Sequence, residues 1–519
     1  MADLQSVLLH YSEIASQQFQ KVPGSAIVLR YIRSSYQNDP IRSAIELFLF
    51  LFAVGYLLSP SYETKDKNKI VLTEDEIDDL VEEWQPEPIV EPETPEEIVE
   101  NEKRPTIIGA TGPKCRVATA NGSSKLVTNL ASYNFYNFVG NETLKEKAIQ
   151  TLRKYGVGPC GPPGFYGTQD VHMEAEKAVA AHLGVPNCII YAQAFSTISS
   201  VIPAFSKRGD IIVADKAVNY SIRKGLQVSR SKVYWYEHND MADLERLLRK
   251  IVKENARKPL TRRFIVSEGL FENVGDVVDL PRLVELKHRY KFRIILDETW
   301  SYGVLGEGGR GVTEAQNVDA NQVDMLIGSL AGPICSGGGF CAGSPEVVEH
   351  QRIMATAYTY SAALPAMLAT TAVETIQLLK DSPEYGIKLQ ENIDTMWAQF
   401  DPKNFPKQQW VTCTSSKQNP IMIFVLKDDL ISRYEISVKD QEAIIQEVVD
   451  EALRKDVLVT KVRHMPLAIG VSSREQPWQP QPALKVCMTS GLTKKEVESA
   501  GQTIRRSLHT VMEKRKFKR

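Results

Sequence analysis

The chain has 519 residues, 43% apolar and 24% charged, with a net charge of −2. That is too long for one ordinary domain, too apolar for a disordered chain and too polar for a polytopic membrane protein. It also lacks the overall positive charge of a nucleic-acid binder. The balance hides segregation: 14 acidic residues and no Lys or Arg lie between Ile70 and Glu102, so the remainder is basic. The seven cysteines, at 115, 160, 188, 335, 341, 413 and 487, form no CxxC pair. Neither a zinc site nor a disulfide framework is indicated, and a reducing compartment is implied.

Residues 4–19 set Leu4, Val7, Leu8, Tyr11, Ile14, Ala15 and Phe19 at helical spacing. They predict an amphipathic helix, suited to a membrane interface or to a protein surface. The segment 1–40 lacks the basic start and unbroken apolar run of a signal peptide. From Leu47 to Leu58 every residue is apolar or Gly, and extending back to Ala44 admits only Glu46. With Arg42 and Pro60 as brackets, residues 41–60 are expected to form one transmembrane helix. Its orientation stays open, because Arg30, Arg33 and Arg42 balance Lys65, Lys67 and Lys69.

Thr73 to Glu76 reads as a capping box that starts a short helix carrying Ile77, Leu80, Val81 and Trp84. Prolines 86, 88, 92 and 95 among glutamates then predict an extended acidic linker, or a strap across a basic surface of the body, so 61–104 is one connecting segment. Beyond it, short β-rich runs alternate with helical stretches. Strands are expected at Cys188–Ala192, Ile211–Asp215, Val233–Tyr236, Phe264–Ser267, Arg293–Asp297 and Met325–Ser329. Helices are expected at Met241–Glu254 and Pro281–Tyr290. The alternation predicts an α/β fold with a mostly parallel sheet over 105–365. Asp215, Glu268 and Asp297 fall at strand ends, where such sheets gather ligand groups. Long helices and strands near Ile421–Val425 and Leu484–Met488 predict a smaller C-terminal α+β domain over 366–519. The tail from Lys514 has five positive charges in six residues, which suits a solvated terminus or anionic lipid.

Four segments carry a resemblance: YGVGPCGPPGFYGT (Tyr155–Thr168, with His172 and Glu176 beyond it), GDIIVADKAVNYS (Gly209–Ser221), LDETWSYGVLGEGGRG (Leu296–Gly311) and GSLAGPICSGGGFCAG (Gly328–Gly343). Together they resemble the α-oxoamine synthases, which share the fold-type-I architecture of pyridoxal-phosphate (PLP) transferases, over about residues 130 to 495. In catalytic members the fourth segment carries the lysine that binds PLP. Here Gly332 aligns with it, and no lysine occurs from Phe292 to Leu379. The ring-stacking His aligns with Asn219 and the His beside the PLP hydroxyl with Trp300. The substrate-binding Arg aligns with Lys485, and Asp297 is retained. Asp297 without its chemical partner is expected to act as a strand-end carboxylate bonded to amides. These three residues, Asp297, Asn219 and Trp300, would be a vestigial cofactor pocket.

The pattern is similar to the non-catalytic subunits of the eukaryotic serine palmitoyltransferase family; the HNDM and KRGD segments (His238–Met241 and Lys207–Asp210) agree. The resemblance implies a heterodimer at the endoplasmic reticulum membrane with its main body in the cytosol. A catalytic long-chain base subunit 2 would bind PLP covalently and condense L-serine with palmitoyl-CoA. The family further implies a small activating subunit and Orm-type regulators. No residue of this chain would be catalytic, and no metal site is indicated. Because active sites of this fold lie between subunits, the loop Gly156–Thr168 is expected to wall the partner's site through Gly158, Cys160, Gly161, Phe165, Tyr166 and Gly167. Glycines would allow close backbone approach and prolines would limit the loop's freedom. Cys160 would be a small close-packed side chain, and His172 a structural one. The alternatives are a self-sufficient homodimeric PLP enzyme and a membrane scaffold that contributes nothing to a partner's site.

Overall fold

The computed structural model describes residues 18, 21–59, 72–86, 92–118, 124–404, 410–462 and 478–515. The chain divides into a unit ending at Glu93 and a unit beginning at Thr94. In the first, Ser25–Asn38 and Pro40–Leu58 are helices. Asp39 separates them and caps the second, its carboxylate accepting from the amides of Ile41 and Arg42 at 3.1 Å each. Proline at the first helical position costs no hydrogen bond there. Pro40–Leu58 has 19 residues, a mean hydropathy of 1.9 and no buried residue, so it is long and apolar enough to cross a membrane. At 1.5 Å per residue it spans about 28 Å, close to a bilayer's hydrocarbon thickness. Glu46 is ion-paired to Arg42 at 2.9 Å. The Thr73–Glu76 capping box is present and opens the helix Glu74–Glu83. The helix expected over 4–19 lies outside the described residues, apart from Gln18.

The second unit opens with a correction. Pro95–Glu102 is a helix where an extended linker was expected. A proline that would break a helix interior has the right φ for its first turn. The large sheet has seven strands: β1 Asn187–Tyr191, β2 Ile211–Asp215, β3 Lys232–Tyr236, β4 Arg263–Glu268, β5 Arg293–Asp297, β6 Met325–Ser329 and β7 Gly339–Gly343. Their order is β1-β7-β6-β5-β4-β2-β3. Only β7 runs antiparallel to its neighbours. Runs such as IIVAD in β2 are buried at every position, as strands covered on both faces require. Helices Met241–Glu254 and Leu280–Tyr290 lie where the periodicity places them.

A second core is built from both ends of this unit. Leu130, Phe135 and Phe138 join Ile421–Leu426, Ala483–Cys487 and the helix Lys494–Lys514. Thr128 and Asn129 pair in parallel with Val457 and Leu458. The segment before residue 144, expected with the large domain, therefore supplies side chains to the small one. Conversely, Ala366, Ala369, Ala372 and Ile376 belong to the large core. Of the basic tail, residues 516–519 lie outside the described residues, and Arg515 pairs with Glu447 at 2.6 Å.

Candidate functional site

Parallel strands deliver a row of buried carboxylates to one end of the sheet. Asp215 ends β2, Glu268 ends β4 and Asp297 ends β5. Asp297 Oδ2 accepts from Asn219 Nδ2 at 2.8 Å, and Oδ1 accepts from the Thr299 amide at 2.9 Å. Glu268 accepts from the amides of Asn219 at 2.6 Å and Glu272 at 3.1 Å. Burial raises the Asp297 pKa, and burial with the neighbouring Asp297 pushes Glu268 well above the ordinary carboxylate range. Asn219 also caps the helix Tyr220–Ser229 through Oδ1. The residue aligned with a ring-stacking His is thus fixed on both sides, by Asp297 and by the helix.

Gly332 sits in a short turn after β6 with φ +60°, and an added Cβ would lie 3.9 Å from Tyr133 Cβ. Among the described residues Lys485 is the one buried lysine. Its ammonium donates to Tyr133 Oη at 2.9 Å and lies 5.2 and 5.6 Å from the ring centroids of Tyr133 and Trp300. Those two rings meet edge-on at 4.6 Å. Burial works against the Lys485 charge, but Tyr133 and Glu272 outweigh it and hold its pKa above the usual lysine value. Tyr133 and Glu272 are the site residues that sequence reasoning missed. Only the aromatic run SYNFYNF hints at Tyr133. Position 332 itself offers no amine for a covalently held PLP.

The HNDM segment is anchored beside this row. His238 bridges Asp215 at 3.0 Å and Asp276 at 3.1 Å, and Asn239 binds the same two carboxylates at 2.7 and 3.0 Å. Burial opposes protonation of His238, yet the two carboxylates raise its pKa to about 10. An unfolded histidine titrates near ~6.5. The stabilisation is therefore complete below about pH 6.5 and is lost as pH rises through about 10. Wild-type unfolding free energy should fall on the order of 2–4 kcal/mol across that window, and His238→Gln should flatten the slope. Denaturant titrations at pH 6 and pH 10 check this; equal slopes would refute the bridge.

The loop Gly156–Thr168 folds back on itself. The amides of Phe165 and Gly167 both donate to Pro162 O at 2.9 Å, and Ala363 N donates to Gly161 O at 2.9 Å. Gly161 and Gly167 pass so closely that a Cβ on Gly167 would sit 2.0 Å from Gly161 O. Gly158 has open space around it. Cys160 and Tyr166 hold positive φ, at 56° and 60°. The turn thrusts Phe165 and Tyr166 outward, 72% and 95% exposed, and it packs near the helix Thr356–Thr359. Cys160 is exposed in the single chain. His172 is buried; its Nδ1 accepts from the Gln169 amide at 2.9 Å, and its Nε2 bonds Leu364 O at 2.6 Å. It ties the loop's exit to the chain beyond residue 360.

Comparison with known proteins agrees with this architecture. The model of the class I and II aminotransferase family matches residues 125–504. The chain is 37% identical over 422 residues to long chain base biosynthesis protein 1 of Arabidopsis thaliana, covering 81% of this chain and 83% of that one. It is 34% identical over 541 residues to serine palmitoyltransferase 1 of Saccharomyces cerevisiae, covering 97% and 94%. The chain belongs to the serine palmitoyltransferase 1 family. Among solved structures, a serine palmitoyltransferase of S. paucimobilis superposes with a TM-score of 0.67 at 19% identity, over 80% of this chain and 96% of that one. An 8-amino-7-oxononanoate synthase of Francisella tularensis gives 0.58 at 20% identity, over 74% and 98%. These two likenesses establish the fold. Membership of the serine palmitoyltransferase 1 family assigns the chain to sphingolipid long-chain base synthesis.

Proposed function

We propose that this chain is the non-catalytic subunit of a membrane-anchored serine palmitoyltransferase. Its partner, a catalytic long-chain base subunit, condenses L-serine with palmitoyl-CoA to 3-ketosphinganine, CO2 and CoA. The observation that carries this reading is glycine at position 332 within a lysine-free run of 88 residues, Phe292 to Leu379. Without an amine there, the chain has no nucleophile to hold PLP, and the partner must provide it. The internally bonded Asp297–Asn219 pair and the Lys485–Tyr133–Trp300 cluster support a structural role for the vestigial pocket. The chain's contribution is the rigid loop Gly156–Thr168, whose exposed Phe165 and Tyr166 suit a subunit boundary rather than open solvent. Lost lysine and kept loop fit a shared active site better than a mere scaffold does.

The helix Pro40–Leu58 supports anchoring in a membrane, which this reading takes to be that of the endoplasmic reticulum with the body in the cytosol. A small activating subunit and Orm-type regulators complete the proposed assembly. Borohydride reduction of the detergent-purified complex, followed by peptide mapping, tests the assignment. The phosphopyridoxyl label should sit only on the co-purifying catalytic chain. Label on Lys485, or on any other lysine of this chain, would overturn it.

A further inference from the structure

The end of the large sheet remote from Asp297 has a charge pattern that the long-chain base reaction does not use. Register aligns Lys232 with Ile211, Ile211 with Arg263, and Phe264 with Arg293. Four adjacent parallel strands, β3, β2, β4 and β5, therefore begin in one row, and three of them begin on a cation. The preceding loops add Lys207 and Arg208 before β2, Arg230 before β3, Lys258 and Arg262 before β4 and Lys291 before β5, all exposed. Among the described residues none of these six makes an ion pair, and neither does Arg293.

The acids at this end are largely spent. Asp210 is buried, its carboxylate accepting from the amides of Lys207 and Arg262 at 3.0 Å each. Asp324 pairs with Lys287 at 2.7 Å and accepts from the Ile294 amide at 2.8 Å. Glu254, near Lys232, Glu346 and Asp319, which accepts from the Asn321 amide at 3.0 Å, remain. Two features add shape to the charge. Leu260 is 95% exposed between Lys258 and Arg262, an apolar side chain projecting from a cationic loop. A recess of about 580 Å³ opens at the same end of the sheet, with Arg262, Arg293, Asn321 and Ser344 on its walls together with Asp324 and Glu346.

We infer that this face is a docking platform for an anionic membrane surface, with lipid phosphates paired to the loop cations and Leu260 dipping into the headgroup layer. Basic clusters held close to a bilayer are drawn to anionic leaflets within a Debye length. The membrane-spanning helix on the same chain would turn a weak contact into an effectively intramolecular one. An acidic protein segment is the competing occupant, and the membrane is favoured because the same chain carries a helix long and apolar enough to enter one.

The test is lysine-labelling footprinting of the intact complex in nanodiscs of phosphatidylcholine alone or with phosphatidylserine added. Acetylation of Lys207, Lys258 and Lys291 should slow at least about threefold in the anionic discs. The difference should vanish in high salt and in a variant carrying Arg208→Gln, Arg262→Gln and Arg293→Gln. Equal labelling in the two discs would overturn the inference. So would equal protection in lipid-free detergent, which would assign the face to a protein partner.

Discussion

Replacing Lys485 by Ala should destabilise the chain by about 3–5 kcal/mol, the cost of leaving a buried charge pair half-made. The residue is 7% exposed, and its ammonium lies against both Tyr133 and Trp300 with Glu272 nearby. Truncation removes the cation from two aromatic faces, leaves Tyr133 Oη without its donor and opens a cavity. Lys485→Met leaves the same contacts unmade but keeps most of the volume, so it should cost about 1–2 kcal/mol less than Ala, the share due to the cavity. Burial already pushes the Glu272 carboxyl up and Lys485 holds it down, so loss of the lysine would raise it further. Urea unfolding of both variants separates the cases. Equal losses would mean that the contacts of the ammonium alone, and not packing, fix Lys485, and no loss in either would mean that the cluster contributes nothing.

Gly167→Val should leave the body folded yet lower the activity of the assembled complex about 10- to 100-fold, the scale set by misplacing a site wall by around an ångström. The Cβ has nowhere to go: Gly161 O would be 2.0 Å away and Pro162 O 2.6 Å away. The loop must therefore open, carrying Phe165 and Tyr166 with it. Gly386→Ala is the control, since nothing lies within 4 Å of its added Cβ and it stands in the helix Glu384–Phe400, outside the loop. Circular dichroism and co-purification report folding and assembly, and serine-dependent release of CO2 reports function. Normal activity of a well-folded Gly167→Val complex would leave the scaffold reading standing.

Much of the architecture was legible in the sequence because fully buried parallel strands are short, apolar and bounded by turn residues. β2, β5 and β6 fall where the residues put them. β7 was not legible: GFCAG contains two glycines, and only its place between β6 and β1 makes it a strand. Gly339 is required there because Thr197 Oγ1 would lie 2.4 Å from a Cβ. The division between the cores was equally hidden, since it depends on pairing Thr128 with Val457, a contact that no local pattern encodes. At the site, Asp297 could be found from its strand end, and Gly332 and Asn219 from the motifs. Tyr133 and Glu272 could not, because their roles arise only when Lys485 arrives from a strand far along the chain.

That long-range pairing has a consequence for biosynthesis. The large core can form once the ribosome has released residues up to about 380, but Leu130, Phe135 and Phe138 must then wait for strands and a helix that lie between residues 421 and 514. Contacts so distant along the chain form slowly, and apolar surface left uncovered meanwhile invites aggregation. A truncated product ending before residue 421 would keep an intact seven-stranded sheet while leaving its amino-terminal aromatic segment without most of its partners. Chaperone demand during synthesis should therefore peak late, after the larger sheet is complete.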